Sequence, residues 1–144
     1  MAVEKSFIRS EIDRSDRVIC LGHGLPQGLL GHNCRLIIDD NDAELFRQQT
    51  DNIYIWCNAD CYVRKHDLKG FATGMFISEP TEAYIFGVEA TQEEIEKSND
   101  LFAEIVGASL EMRSKEILEK VLDEYQIADN DVVAFNRNRM CCFD

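Results

Sequence analysis

Apolar residues near the start of the chain recur at Val3, Phe7, Ile8 and Ile12, the spacing of one helical face. A polar turn at Asp13–Asp16 separates this helix from Arg17-Val-Ile-Cys-Leu-Gly22, a short β-branched run ending in glycine that predicts a buried strand. Residues 22–31 hold four glycines and Pro26, which predicts a loop with special backbone demands. A second short strand is expected over Arg35–Asp39. Next to it comes a brief helix capped by Asn41, with Glu44 at its third position and Leu45 and Phe46 turned inward.

Asn52-Ile-Tyr-Ile-Trp-Cys57 is the clearest strand, rich in β-formers and free of charge. Thr73–Ser78 reads as a third core strand, and Tyr84–Val88 fits either a strand or a helix. Thr91-Gln-Glu-Glu94 is a capping box, opening a helix whose inner face carries Ile95, Phe102, Ile105 and Val106 and which Gly107 can end. The stripe Ile117, Leu118, Val121, Leu122 and Tyr125 predicts another amphipathic helix, and Asp131–Phe135 one more strand. Strands alternating with helices predict an α/β sandwich with a mostly parallel sheet. No repeat or linker interrupts residues 1–144, so a single domain is expected.

Composition narrows the function classes. With 15 basic against 27 acidic residues the formal net charge is -12, which opposes nonspecific binding to nucleic acid or to an anionic membrane surface. The first residues lack the apolar run of a signal peptide and no stretch is apolar enough to span a bilayer, so a cytoplasmic location is expected. Thiols are normally reduced there. The six cysteines therefore read as core residues, metal ligands or nucleophiles rather than as a disulfide scaffold.

Ligands of open parallel sheets gather beyond the carboxyl ends of the strands. Two strand ends carry reactive types: His23-Gly24 after Leu21, and Cys57-Asn58 after Trp56, 34 positions apart and enough for one crossover. A cysteine nucleophile acts as a thiolate that a neighbouring imidazole can generate, and acyl transfer needs N–H donors for the oxyanion. His23 and Cys57 supply the pair, and the amides of Gly24 and Cys57 the donors. Each type also has a plain reading, a solvated histidine in a glycine-rich turn and a small core cysteine. Cys57, Cys61 and His66, with His23 as a distant fourth ligand, offer a looser zinc or redox set, although structural zinc sites favour tighter pairs. No metal or other cofactor is expected. Gly22-x-Gly24 with Gly28 departs from the dinucleotide fingerprint, and residues 22–31 hold no Lys or Arg for a phosphate. Cys20 reads as core, His32 and Cys34 as loop residues, and Cys141-Cys142 as a packed or frayed tail.

The order strand, His-Gly, loop, strand, Cys resembles the caspase-like fold of caspases, gingipains, clostripain and CHAT-domain proteases. The matching segments are Val18-Ile-Cys-Leu-Gly-His-Gly24 and Ile53-Tyr-Ile-Trp-Cys-Asn-Ala59. Phe71–Ser78 and the helix after it resemble the strand and helix that come after the nucleophile in that family. The resemblance covers about residues 17–110 and rests on short motifs. It implies a three-layer α/β sandwich, His23 as base or proton donor, Cys57 as nucleophile, and the amides of Gly24 and Cys57 as oxyanion hole. Only 22 residues precede His23, where the family has a further strand-helix-strand, so the expected version is trimmed at the N-terminus. Asp60 and Glu79 are candidates for a pocket that receives a basic side chain. The implied function is a cysteine peptidase acting on a peptide or protein. The alternatives are an inactive caspase-like interaction module, and a Cys/His metal or redox sensor. A sheet edge exposed by the trimming would suit a homodimer or a partner chain.

Overall fold

The computed structural model describes residues 4–144, an α/β protein that divides into two compact units. Val3, expected on the first helix, lies outside the described residues. One unit comprises the chain up to Met75 together with Cys141–Asp144, and the other comprises Phe76–Met140. No helix among the described residues is long and apolar enough to cross a membrane.

The first unit opens with helix α1 (Lys5–Asp13), whose Ile12 is buried and whose Ile8 packs partly against the same core. Strand β1 (Ile19–Leu21) comes next, then β2 (Gly24–Leu25), β3 (Gly28–Leu30) and β4 (Leu36–Ile38). The glycine-rich stretch is thus a hairpin rather than a loop: Pro26 and Gln27 make its turn, and β2, β3 and β4 form a small antiparallel sheet. Gly28 at φ 152° suits this hairpin, because a Cβ there would collide with the Ile38 carbonyl. Asp39, not Asn41, is the cap after β4. It forms a capping box with Asp42 over a single 3-10 turn that runs into α2 (Ala43–Phe46). Leu45 and Phe46 turn inward as expected.

Strand β5 (Asn52–Ile55) is buried along its whole length and pairs in parallel with β1 and with β6 (Gly70–Thr73). Helix α3 (Ala59–Lys65) joins β5 to β6, and β7 (Met140–Phe143) completes a four-stranded sheet in the order β1-β5-β6-β7. The tail cysteines therefore belong to a strand, where Phe143 receives the Arg64 guanidinium over its ring at 5.5 Å. β1 is an edge strand and is not buried on both faces as expected, since only Cys20 is interior.

The core of this unit lies on one face of the sheet. Tyr54 and Trp56 stack edge-on within a chain of rings that runs from Phe46 to Tyr62. Two buried amides lock the entry to the sheet. Gln49 donates to the carbonyls of Ile12 (3.0 Å) and Ser15 (2.6 Å) at the end of α1, and its own oxygen accepts from Asn52 (2.7 Å). Asn52 in turn accepts from the Val18 amide at 2.8 Å, which ties the start of β1 to the start of β5.

The second unit is helical: α4 (Pro80–Ile85), α5 (Gln92–Gly107), α6 (Ser114–Glu124) and α7 (Asp131–Arg137). The Thr91 capping box opens α5 as predicted. Two expectations fail here. The strand placed at Thr73–Ser78 ends at Thr73, because both backbone groups of Ile77 are taken by the Asn136 side chain (2.7 and 3.0 Å) and not by a ladder. The strand placed at Asp131–Phe135 is a helix, capped by Asn130, whose side chain accepts from the Val133 amide. The ambiguous Tyr84–Val88 resolves into the end of α4 and a turn through Gly87.

Candidate active site at the ends of two parallel strands

The β1–β5 register pairs Ile19 with Ile53, Cys20 with Tyr54, and Leu21 with Ile55. The ladder runs one step further, because the Gly22 amide donates to the Ile55 carbonyl at 3.1 Å. His23 and Cys57 each lie two positions beyond this last pair, His23 between β1 and β2 and Cys57 in the turn that follows β5. The period-two alternation also fixes the face. Cys20, Tyr54 and Trp56 point into the aromatic core. Ile19 and Leu21 of β1 and Ile53 and Ile55 of β5 alternate to the opposite face, where the β1 pair is exposed and the β5 pair is buried.

His23 and Cys57 are each held by their neighbours. Beyond β5 the chain turns sharply: the Ala59 amide donates to the Trp56 carbonyl at 3.1 Å, and Asn58 adopts a left-handed conformation at φ 65°. Asparagine tolerates that conformation better than most residues. The Thr73 hydroxyl donates to the same Trp56 carbonyl at 2.8 Å, and the Asn58 amide donates to the Gly74 carbonyl at 3.0 Å. The turn carrying Cys57 is thus fixed to the end of β6, and Cys57 itself is half-buried.

On the β1 side the Leu30 amide donates to the His23 carbonyl at 2.9 Å, which makes His23 and Leu30 a hydrogen-bonded pair of the hairpin. The next pair, Gly24 with Leu29, is then a non-hydrogen-bonded one, so the Gly24 amide points away from β3. The Trp56 indole lies against Gly24, and a Cβ at that position would overlap its Cγ and Cδ1. The indole N–H donates to the Leu25 carbonyl at 3.0 Å. The tryptophan just before the cysteine therefore clamps the two residues just after the histidine. The His23 side chain is exposed.

Asp60 is half-buried on the first turn of α3, and its Oδ1 is enclosed without a hydrogen-bond partner. Burial and then this carboxylate raise the pKa of the Cys61 and Cys141 thiols. Glu79 is exposed at the cap of α4 in the second unit. The zinc set does not assemble. His66 ends α3 with its Nε2 2.8 Å from Asp40 Oδ1, and no group of three or more metal-binding side chains comes together among the described residues. Cys20 is interior, and burial alone pushes its thiol up to about 12.

Trp56, Thr73 and the Gln49–Asn52 amides are the supporting residues that sequence reasoning missed. An asparagine opening an otherwise apolar strand was the one visible signal for the last of these. The chain matches no protein-family model, no curated protein and no solved structure.

Proposed function

We propose that the chain is a cysteine peptidase-like enzyme on a caspase-like, three-layer α/β scaffold, with His23 and Cys57 as its dyad. The observation that supports this reading is that β1 and β5 are neighbouring parallel strands whose last paired residues, Leu21 and Ile55, each come two positions before His23 and Cys57. His23 accepts the Cys57 proton as Sγ bonds to the carbonyl carbon of a peptide. The carbonyl electrons move onto oxygen, where the outward amide of Gly24 and the amide of Cys57 donate to it. Collapse breaks the C–N bond, and the proton passes from His23 to the leaving amine. Water, deprotonated by His23, then hydrolyses the thioester and returns the thiol.

The substrate is a peptide or protein, and cationic segments suit a chain of net charge -12. Asp60, half-buried three residues beyond the cysteine, is the group we assign to a basic substrate side chain.

Timed iodoacetamide labelling at neutral pH tests the dyad. Cys57 is half-buried whereas Cys34 is exposed, so accessibility alone favours Cys34. The dyad requires the reverse order, and His23→Ala should abolish that advantage. In peptide hydrolysis Cys57→Ala should fall to background and His23→Ala should lose roughly 10²–10⁴-fold. Asp60→Asn should raise KM for lysine- and arginine-containing peptides only. Labelling of Cys57 no faster than Cys34 sinks the enzyme and leaves the binding scaffold.

A further inference from the structure

We propose that the β1 edge, with the groove between it and α1, is a self-association surface that receives a second copy of this chain. β1 is the outer strand of the sheet. Val18 and Gly22 bond inward to β5, so by the alternation of a parallel ladder the amides and carbonyls of Ile19 and Leu21 face outward. The side chains there are apolar and unusually open for a strand: Ile19 is 45% exposed and Leu21 71%. Beside them runs a groove of about 430 Å³ whose apolar lining, Phe7, Ile8, Ile12 and Leu29 among it, is joined by one acidic and one basic residue, Glu11 and Arg17. An open edge of this kind pairs with another strand unless something blunts it, and β1 carries no charge and no proline.

Charge selects the occupant. Residues 4–21 carry Glu4, Glu11, Asp13 and Asp16 against Lys5, Arg9, Arg14 and Arg17, so the segment that builds this face is neutral. The whole net charge of -12 therefore resides in the rest of the chain. Two copies meeting through other surfaces set like charge against like, whereas here they do not. A cationic peptide gains nothing from a neutral groove. The edge is also self-complementary: antiparallel about a two-fold axis, each outward donor of one copy meets an acceptor of the other. The inference is independent of the dyad, since it uses neither His23 nor Cys57.

Sedimentation velocity of the full chain over a dilution series from about 100 µM to 1 µM is the test. We expect a reversible monomer–dimer equilibrium. It should be weakened at least tenfold by the Ile19→Glu/Leu21→Glu pair and independently by Phe7→Glu on α1, with unchanged circular dichroism. Ile85→Glu, at an equally exposed apolar residue of the second unit, should leave association intact. Salt between 50 and 500 mM should not weaken it, because no ion pair holds a neutral face together. A chain that stays monomeric throughout, a dimer indifferent to both edge variants, or one that Ile85→Glu dissociates as strongly would overturn the proposal. So would a monomer that instead takes up an unrelated extended peptide at this edge.

Discussion

At the scale of single residues, the position that does most to shape the candidate site is Gly24. Its missing Cβ is what lets the Trp56 indole approach the backbone closely, and the indole in turn holds Leu25. Gly24→Ala forces either the ring or the hairpin to move. Overpacking of this kind typically costs about 1–3 kcal/mol. We expect a loss of that size in urea denaturation, and a larger proportional loss of kcat than of stability, because the displaced amide is the oxyanion donor of the proposed mechanism. Unchanged hydrolysis in a destabilised Gly24→Ala protein would separate the amide from the chemistry. The sequence made His23, Gly24 and Cys57 visible as types at strand ends. It could not show the clamp, because a tryptophan in an apolar strand looks like core whichever backbone it touches.

At the scale of elements, the strongly periodic helices α5 and α6 and the strand β5 were legible because their patterns are long or pure. The failures share a cause. Val132 and Val133 are β-branched, but the Asn130 cap outweighs that preference and starts a helix. Ile77 is as apolar as any strand residue, yet a distant asparagine takes its backbone groups. The edge status of β1 depends on which strands neighbour it, a property no local window contains.

An ion-pair clasp ties α1 to the chain after β4: Lys5 reaches Asp39 and, at 3.3 Å, Asp42, while Arg9 lies 3.3 Å from Asp42. Burial opposes the Lys5 charge, but its hydrogen bonds to Asp39 and Asp42 prevail and raise its pKa above 10.5. The hydrogen bond from Lys5 holds Asp39 below 3.8. A raised lysine contributes below its unfolded pKa and loses that contribution as pH rises through the folded value. A lowered aspartate contributes above its unfolded pKa and loses it as pH falls through the folded one. The difference in stability between the wild type and Lys5→Met should therefore be flat from about pH 5 to pH 9 and shrink only beyond those limits. Its size should stay within about 1 kcal/mol, because Lys5 is partly solvated. Guanidinium melts at five pH values would reveal any slope inside the window, which would assign the effect to other groups.

At the scale of the whole molecule, the excess of 27 acidic over 15 basic residues acts on stability as well as on partners. Among the described residues, ion pairs outside the clasp mostly join residues three or four apart on one helix or sit on the surface, as Lys97–Glu93 and Lys65–Asp40 do. Such pairs contribute little individually and lose little on adding salt. The long-range repulsion among the surplus carboxylates is a different matter, because it acts over distances that salt controls. Raising ionic strength from 0.01 to 0.15 M cuts the screening length from about 30 Å to about 8 Å. The net effect of salt should thus be stabilising, the opposite of what a fold held together by surface ion pairs would show. Relief of about 1 kcal/mol raises the midpoint of a chain this long by roughly 2–4 °C. Self-association would raise it too, so the measurement belongs in the Ile19→Glu/Leu21→Glu background at low protein concentration, where mass action adds nothing. A midpoint that falls with salt in that background would mean that particular charge pairs, not the overall excess, set the electrostatic balance of the fold.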